Sequence, residues 1–219
     1  LMYVGDARLE MLTTYAMTAD SRLPARAVEL FRESIRDFGA PGSRTPTRQR
    51  QLIPTFSLIW IWMVNDYYFW RGDRNWLAEF LPDVRAVLGR FARFEQESGL
   101  IQGLPGWSFV DWVPQWSSGY PPAALEGGLS SIINLHYLLA LLKAAELEEA
   151  GGEPALAGSM RAKAARLAGR IRETFYSAES GLLADDTSFK NFSEHAQCLA
   201  LIGGLFADEP ETERRMLEA

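Results

Sequence analysis

Three features of the 219-residue sequence predict an all-α fold. Apolar residues recur at three- and four-residue spacing along most of the chain, and glycine or proline separates these runs. No segment alternates apolar and polar residues over a length that would make a useful strand. With 47% apolar and 23% charged residues, the chain has the composition of a globular domain with a sizeable core. We therefore expect one helical domain over residues 1–219, built from about eight helices.

Start and stop signals place each helix along the chain. Pro24 and Pro54 stand near the first positions of two helices, and Gly72 ends the helix that follows Pro54. The helix that follows Pro54 is apolar almost all round, which predicts burial on several sides. The predicted helices lie near residues 6–17, 24–38, 55–70, 76–98, 129–150, 160–175 and 193–206, with a last one after Pro210.

Composition and charge exclude several classes of function. The formal net charge is −6 and no basic patch offsets it, so we expect no nucleic-acid partner. The longest apolar stretch, residues 56–64, is shorter than the roughly 18 residues of a membrane-spanning helix, and no membrane partner is expected. The single cysteine, Cys198, rules out a disulfide framework and a zinc cluster. With His136 and His195 as the only histidines, the sequence predicts neither a metal site nor a cofactor.

The longest segment without helical periodicity runs from Gly99 to Pro122. A loop of this length inside a compact domain is more often functional than structureless. Asp111 lies in it among aromatic side chains, and sugars present apolar C–H faces to aromatic rings and hydroxyls to carboxylates. Glycoside cleavage also uses paired acids. The aromatic residues of this loop are Trp107, Phe109, Trp112, Trp116 and Tyr120.

Five short blocks stand out along the chain: Tyr3–Ala7, Ile53–Trp60, Tyr67–Asp73, Trp107–Trp112 and Ser193–Leu201. In the same order, they resemble segments of bacterial α-L-rhamnosidases. The first block is similar to the Trp-x-Gly-Asp-Ala segment of that family, with Tyr3 in place of the tryptophan. Each block alone is a weak signal, but together they cover most of the chain and are fairly specific.

The resemblance implies an (α/α)6 toroid of twelve helices that hydrolyses terminal α-L-rhamnose from plant or bacterial glycosides with inversion. About eight helices cannot close such a ring, so it implies a partial toroid, the middle part of a catalytic domain. By family position, the general acid lies before Leu1 and the general base after Ala219. The residues that it assigns to substrate binding are Asp6, Tyr3, Trp60, Asp111 and Trp112.

Each of these residues also has a purely structural interpretation. Asp6 could stabilise a helix N-terminus through the helix dipole, and Asp111 could cap a turn. Trp60 lies on the helix that is apolar all round, so it could equally be a core residue. On the same grounds His136 is expected in the core, and Cys198 is interpreted as a small buried apolar residue.

Three functions stay open at this point: a rhamnosidase-like glycoside hydrolase, a glucosidase- or trehalase-like toroid enzyme, and a helical scaffold that binds proteins. Convergence of the aromatic and acidic residues on one concavity would argue against the scaffold. An open arc of helices would also leave apolar edges, which predicts poor solubility or a homodimer. Neither the cysteine content nor the N-terminal sequence decides between cytoplasm and secretion.

Overall fold

A computed structural model describes residues 1–218, and their regular structure is almost entirely α-helical. Eight helices have nine or more residues, and one is a four-residue turn of helix, so the predicted all-α class is confirmed. The helices are α1 (Val4–Met17), α2 (Arg22–Glu33), α3 (Ile35–Phe38), α4 (Pro54–Arg71), α5 (Arg74–Ala92), α6 (Ser131–Gly151), α7 (Pro154–Phe175), α8 (Glu194–Ile202) and α9 (Pro210–Glu218).

The helices form an arc of four hairpins. Four of them, α1, α4, α6 and α8, make an inner row in which α4 packs against α1 and α6, and α6 packs against α8. Each inner helix also packs against the outer helix that follows it, namely α2, α5, α7 and α9. Because every outer helix returns the chain, the inner helices share one direction, and their N-terminal ends lie at the same end of the arc.

Two short antiparallel ladders support the ends of helices. The strands β1 (Met2–Tyr3) and β2 (Arg44–Thr45) pair just before α1, and the backbone N–H of Val4 donates to the carbonyl of Ser43 at 3.0 Å. The strands β3 (Tyr176–Ser177) and β4 (Leu182–Leu183) pair between α7 and α8. These contacts fix the position of the chain on either side of the inner row.

The helix predicted near residues 76–98 is shorter at its C-terminal end than the sequence predicts. Helix α5 begins at an Asp73 side chain that accepts from the backbone N–H groups of Asn75 and Trp76, but it ends at Ala92 rather than near residue 98. The chain then folds back, because Gly99 adopts a left-handed φ of 82° that no helix contains. Apolar periodicity continues through this turn although the helix does not.

The centre of the inner row is the core, and it contains one of the predicted site residues. Trp60 on α4 is completely buried, and its indole N–H donates to the carbonyl of Val28 at 3.1 Å. Its ring packs near Phe80 of the outer helix α5. The expectation that Trp60 contacts a sugar is therefore wrong, because this indole faces the outer row and has no free surface.

Candidate functional site

The long loop between α5 and α6 covers the N-terminal end of α4. The hydroxyl of Thr55 donates to the carbonyl of Phe109 at 2.7 Å in a buried hydrogen bond. The backbone N–H of Trp107 donates to the carbonyl of Leu52 at 2.9 Å. Two anchors on either side of the first turn of α4 thus hold the loop at the end of the arc where the inner helices begin.

Five aromatic side chains from three segments meet there and form what we call the aromatic cluster: Tyr3, Phe56, Trp107, Phe109 and Trp112. The rings of Tyr3 and Phe56 lie edge to face at 6.4 Å, and Phe56 meets Phe109 in the same way at 5.8 Å. The ring centroid of Phe109 lies 4.8 Å from that of Trp107 and 5.1 Å from that of Trp112. Trp112 ends the series with 70% of its surface exposed, which leaves its ring free to contact a ligand.

Two glycines allow the cluster to close. Gly119 has a φ of 71°, and a Cβ there would lie 2.4 Å from the ring of Phe109. A Cβ on Gly5 would lie 3.0 Å from the ring of Phe56. Any other residue at Gly119 would displace the Phe109 ring as well as strain the backbone.

Asp111 stands beside the cluster with its carboxylate held at both oxygens. Its Oδ2 lies 3.0 Å from Nε2 of His195, and its Oδ1 accepts from the backbone N–H of Trp112 at 2.7 Å. The side chain is still 58% exposed. The imidazole of His195 in turn packs on the ring of Trp116 at 5.1 Å. The carboxylate is thus oriented but remains open to a ligand.

A buried aspartate fixes the helix that carries His195. Ser193 caps α8, and Oδ1 of Asp185 accepts from both its backbone N–H, at 3.0 Å, and its hydroxyl, at 2.7 Å. The carbonyl of Asp185 accepts from the backbone N–H of Ser131, the first residue of α6. Burial raises the pKa of Asp185, and the hydrogen bonds from Ser193 oppose that shift. One residue therefore joins the N-terminal ends of α6 and α8.

Tyr3 joins the aromatic cluster from the residue before α1, and Asp6 follows in the first turn of that helix. The hydroxyl of Tyr3 accepts from Nη1 of Arg44 at 3.1 Å, so the phenol ring is fixed within the cluster. Asp6 lies in the first turn of α1, where its carboxylate is exposed and makes no hydrogen bond within residues 1–218. The position suits a helix dipole as well as a ligand, as the sequence analysis anticipated.

A polar network that sequence reasoning missed lies further along the inner row. Nε of Arg8 on α1 donates to Oδ2 of Asp66 on α4 at 2.7 Å, and its guanidinium lies 5.2 Å from the ring of Trp62. The other neighbour of Trp62 is His136 on α6, stacked at 5.5 Å. Burial lowers the pKa of His136 to about 4. The prediction of a core histidine is confirmed, since His136 is buried and its Nδ1 lies 2.8 Å from the carbonyl of Ile132.

The expectations for two further residues have different outcomes. The pairing of His195 with Asp111 was not predicted, because 84 residues separate them and neither lies in a recognisable catalytic motif. Cys198 is exposed, which corrects its interpretation as a buried residue.

Within residues 1–218, no helix has the combination of length and apolarity needed to cross a bilayer. The same residues contain no group of three or more potential metal ligands.

The structure thus has four helical hairpins with a shared inner row, and aromatic and acidic side chains are gathered where that row begins. A family model described as the bacterial alpha-L-rhamnosidase 6 hairpin glycosidase domain matches residues 1–218, so the chain belongs to that family.

Solved structures give the same fold. A GH78 family rhamnosidase of Bacillus sp. GL1 superposes with a TM-score of 0.85 at 23% identity, over 99% of this chain and 22% of that one. A rhamnosidase from Klebsiella oxytoca, solved with rhamnose bound, gives a TM-score of 0.81 at 18% identity, over 99% of this chain and 40% of that one. The chain thus spans less than half the length of either protein. No curated protein matches the sequence.

Proposed function

We propose that this chain forms the substrate-binding part of an α-L-rhamnosidase that releases terminal α-L-rhamnose with inversion of configuration. One observation carries the proposal: the Asp111 carboxylate is oriented by His195 and by a backbone N–H next to the exposed ring of Trp112. A carboxylate beside an open indole suits a sugar, whose hydroxyls need hydrogen-bond acceptors and whose C–H faces need an apolar surface.

The roles of the individual side chains follow from their chemistry. Trp112 stacks on the sugar ring, and Tyr3 extends the apolar wall through the aromatic cluster. Asp111 accepts hydrogen bonds from sugar hydroxyls. Asp6 does the same from α1, and its negative charge also stabilises the positive charge that develops on the ring as the glycosidic bond breaks.

The proposal assigns the two catalytic carboxyl groups to other parts of the protein. Inversion needs one acid that protonates the leaving oxygen and one base that activates water, roughly 6.5–9.5 Å apart. By family resemblance these lie before Leu1 and after Ala219, and residues 1–219 form the middle part of the catalytic domain. We therefore expect the 1–219 polypeptide by itself to give no turnover of an aryl α-L-rhamnoside.

A panel of nitrophenyl glycosides tests the proposal on the full-length protein. We expect hydrolysis of the α-L-rhamnoside and at most weak hydrolysis of the α- and β-glucosides, with kcat/KM reduced at least tenfold in Asp111→Asn. Asp208→Asn is a suitable control, because it also removes an exposed carboxylate but lies beyond the opposite end of α8. A glucoside as the best substrate would replace rhamnose with another sugar.

Two measurements on the 1–219 polypeptide test the assignment of the acid and base. Turnover that disappears in Asp6→Asn or Asp111→Asn would contradict it, because the catalytic pair would then lie inside this sequence. Size-exclusion chromatography should also reveal self-association of this polypeptide, since exposed apolar residues such as Leu9 on α1 and Ile202 on α8 lie on helices at the two ends of the inner row.

A further inference from the structure

A groove of about 440 Å³ lies directly beside the pair formed by Asp111 and His195. One wall belongs to the long loop, with Gln115 and Trp116, and the other belongs to the segment that leads into α8, with Lys190 and Phe192. His195 lines the groove and contacts Asp111 at the same time. A molecule that fills the groove therefore lies next to the proposed rhamnose site.

The backbone of the second wall is held by buried groups. Asp186 accepts from the backbone N–H of Ser188 at 2.7 Å and from the side-chain amide of Asn191 at 2.8 Å. Burial raises the pKa of Asp186, but these hydrogen bonds together outweigh it and the net shift is downward. The backbone N–H of Asp185 donates to the carbonyl of Asn191 at 2.8 Å. The wall is thus fixed without using the outermost side chains.

Both loops that frame the groove contain a residue in a costly backbone conformation. Ser118 in the first loop has a φ of 51°, and Phe189 in the second has a φ of 54°. They are the only non-glycine residues with positive φ within residues 1–218. Such conformations persist where the surrounding structure requires them, and they concentrate at functional sites.

Three polar side chains that line the groove keep their hydrogen-bonding capacity for a ligand. Gln115, Lys190 and Glu194 are exposed, and none of their side chains makes a hydrogen bond or an ion pair within residues 1–218. They supply an amide, an ammonium and a carboxylate, that is, donors and acceptors with charges of both signs. Phe192, 38% exposed, adds an apolar surface.

We propose that this groove binds the sugar to which the terminal rhamnose is attached, a neutral hexose that leaves when the glycosidic bond is cleaved. This inference rests on the proposed function, and it identifies the leaving group of the proposed reaction as a neutral hexose. Hexose hydroxyls both donate to Glu194 and accept from Lys190, while the C–H face packs against Phe192. The charges of Lys190 and Glu194 offset each other, so the groove offers an acidic sugar no net attraction, and a flat polyphenol would leave the polar side chains without partners.

Substrate comparison in the full-length protein tests the groove. The two substrates are nitrophenyl α-L-rhamnoside, which has no second sugar, and a disaccharide in which α-L-rhamnose is linked to glucose. For Lys190→Met we expect kcat/KM to fall roughly tenfold on the disaccharide, the effect of one lost hydrogen bond to a charged group, and less than twofold on the aryl substrate. Phe192→Ala should shift the same ratio in the same direction.

The control variant is Arg36→Met, which removes an exposed cation on α3 and should leave both rates unchanged. Equal losses on the two substrates, or no loss on either, would overturn the groove assignment while leaving the proposed function intact. A larger loss on a polyphenol rhamnoside than on the disaccharide would also overturn it and assign the groove to aromatic leaving groups. Failure of the wild-type protein to cleave any rhamnoside would instead refute the proposed function.

Discussion

The two middle helices of the inner row differ from the two at its ends. Along α4 and α6 most side chains are buried, whereas α1 buries only a single stripe, Val4, Ala7, Met11 and Tyr15. Helix α8 buries only Ala196, Gln197 and Ala200. The middle helices have neighbours on both sides within the arc and an outer helix behind them, and the end helices lack one of these neighbours within residues 1–218.

The difference shows how one architecture separates folding from recognition. Trp60 lies on a middle helix and serves the core, whereas the polar candidate site residues of the inner row, Asp6 and His195, lie on the end helices. The middle helix α4 supplies only the apolar ring of Phe56 to the aromatic cluster. A polar side chain on a middle helix needs a partner, as Glu148 has in Arg85. On an end helix it can remain available to a ligand.

The largest effect is expected for Trp60→Ala. Removing this buried indole leaves a cavity and removes its hydrogen bond to the carbonyl of Val28, so the free energy of unfolding should fall by about 3–5 kcal/mol. Urea denaturation followed by circular dichroism measures the change. The matched variant on an end helix is Leu9→Ala, which removes a side chain that is 64% exposed and should cost less than about 0.5 kcal/mol. Similar losses in the two variants would contradict the comparison.

The second effect depends on pH. The pKa of His136 is about 4 in the folded protein, below the ordinary value of 6.5, so the folded state favours the neutral ring. Its contribution to stability is complete above about pH 6.5 and is lost as the pH falls towards 4, which amounts to roughly 3 kcal/mol. Denaturation of wild type and His136→Gln at pH 7 and pH 4 measures this. The variant should lose less stability between the two pH values, and an equal loss would show that folding does not lower the pKa of His136.

Removal of Arg85 should have the next largest effect. Its guanidinium forms two hydrogen bonds with the carboxylate of Glu148, which is completely buried, and this contact raises the pKa of Arg85 above its ordinary value. Arg85→Met leaves that carboxylate unpaired, and because the Arg85 side is partly exposed we expect a loss of roughly 2 kcal/mol, below the range for a fully buried pair. Arg161→Met, which removes the exposed pair with Glu149, should cost at most about 0.5 kcal/mol. Equal costs would mean that water reaches Glu148.

The smallest effect on stability is expected for Trp112→Ala. The exposed ring contributes little to folding, so the free energy of unfolding should change by less than about 0.5 kcal/mol. Under the proposed function, loss of stacking on the sugar should weaken rhamnose binding by about 1 kcal/mol, a roughly fivefold higher Kd by calorimetry. A large drop in Tm with unchanged affinity would make Trp112 a core residue.

The sequence predicts where helices begin and end better than it predicts which of their side chains are buried. Pro54 and Gly72 mark the bounds of α4 to within a residue, because both act through the local backbone. The assignment of Trp60 to the site failed because a helix that is apolar all round carries no periodicity to tell one face from another. Cys198 was misjudged for a related reason: burial in α8 depends on which helices pack against it, and residues distant in sequence decide that.

The distance in sequence between Asp111 and His195 has a consequence for folding. Each helical hairpin forms from contacts between neighbouring segments, whereas this hydrogen bond closes a loop of 84 residues, and such closures carry a larger entropy cost. We therefore expect the proposed sugar site to assemble late in folding, and partial opening should disrupt it before the hairpins melt. If the proposed function holds, mild denaturant should abolish sugar binding while the helical circular dichroism of the protein is retained.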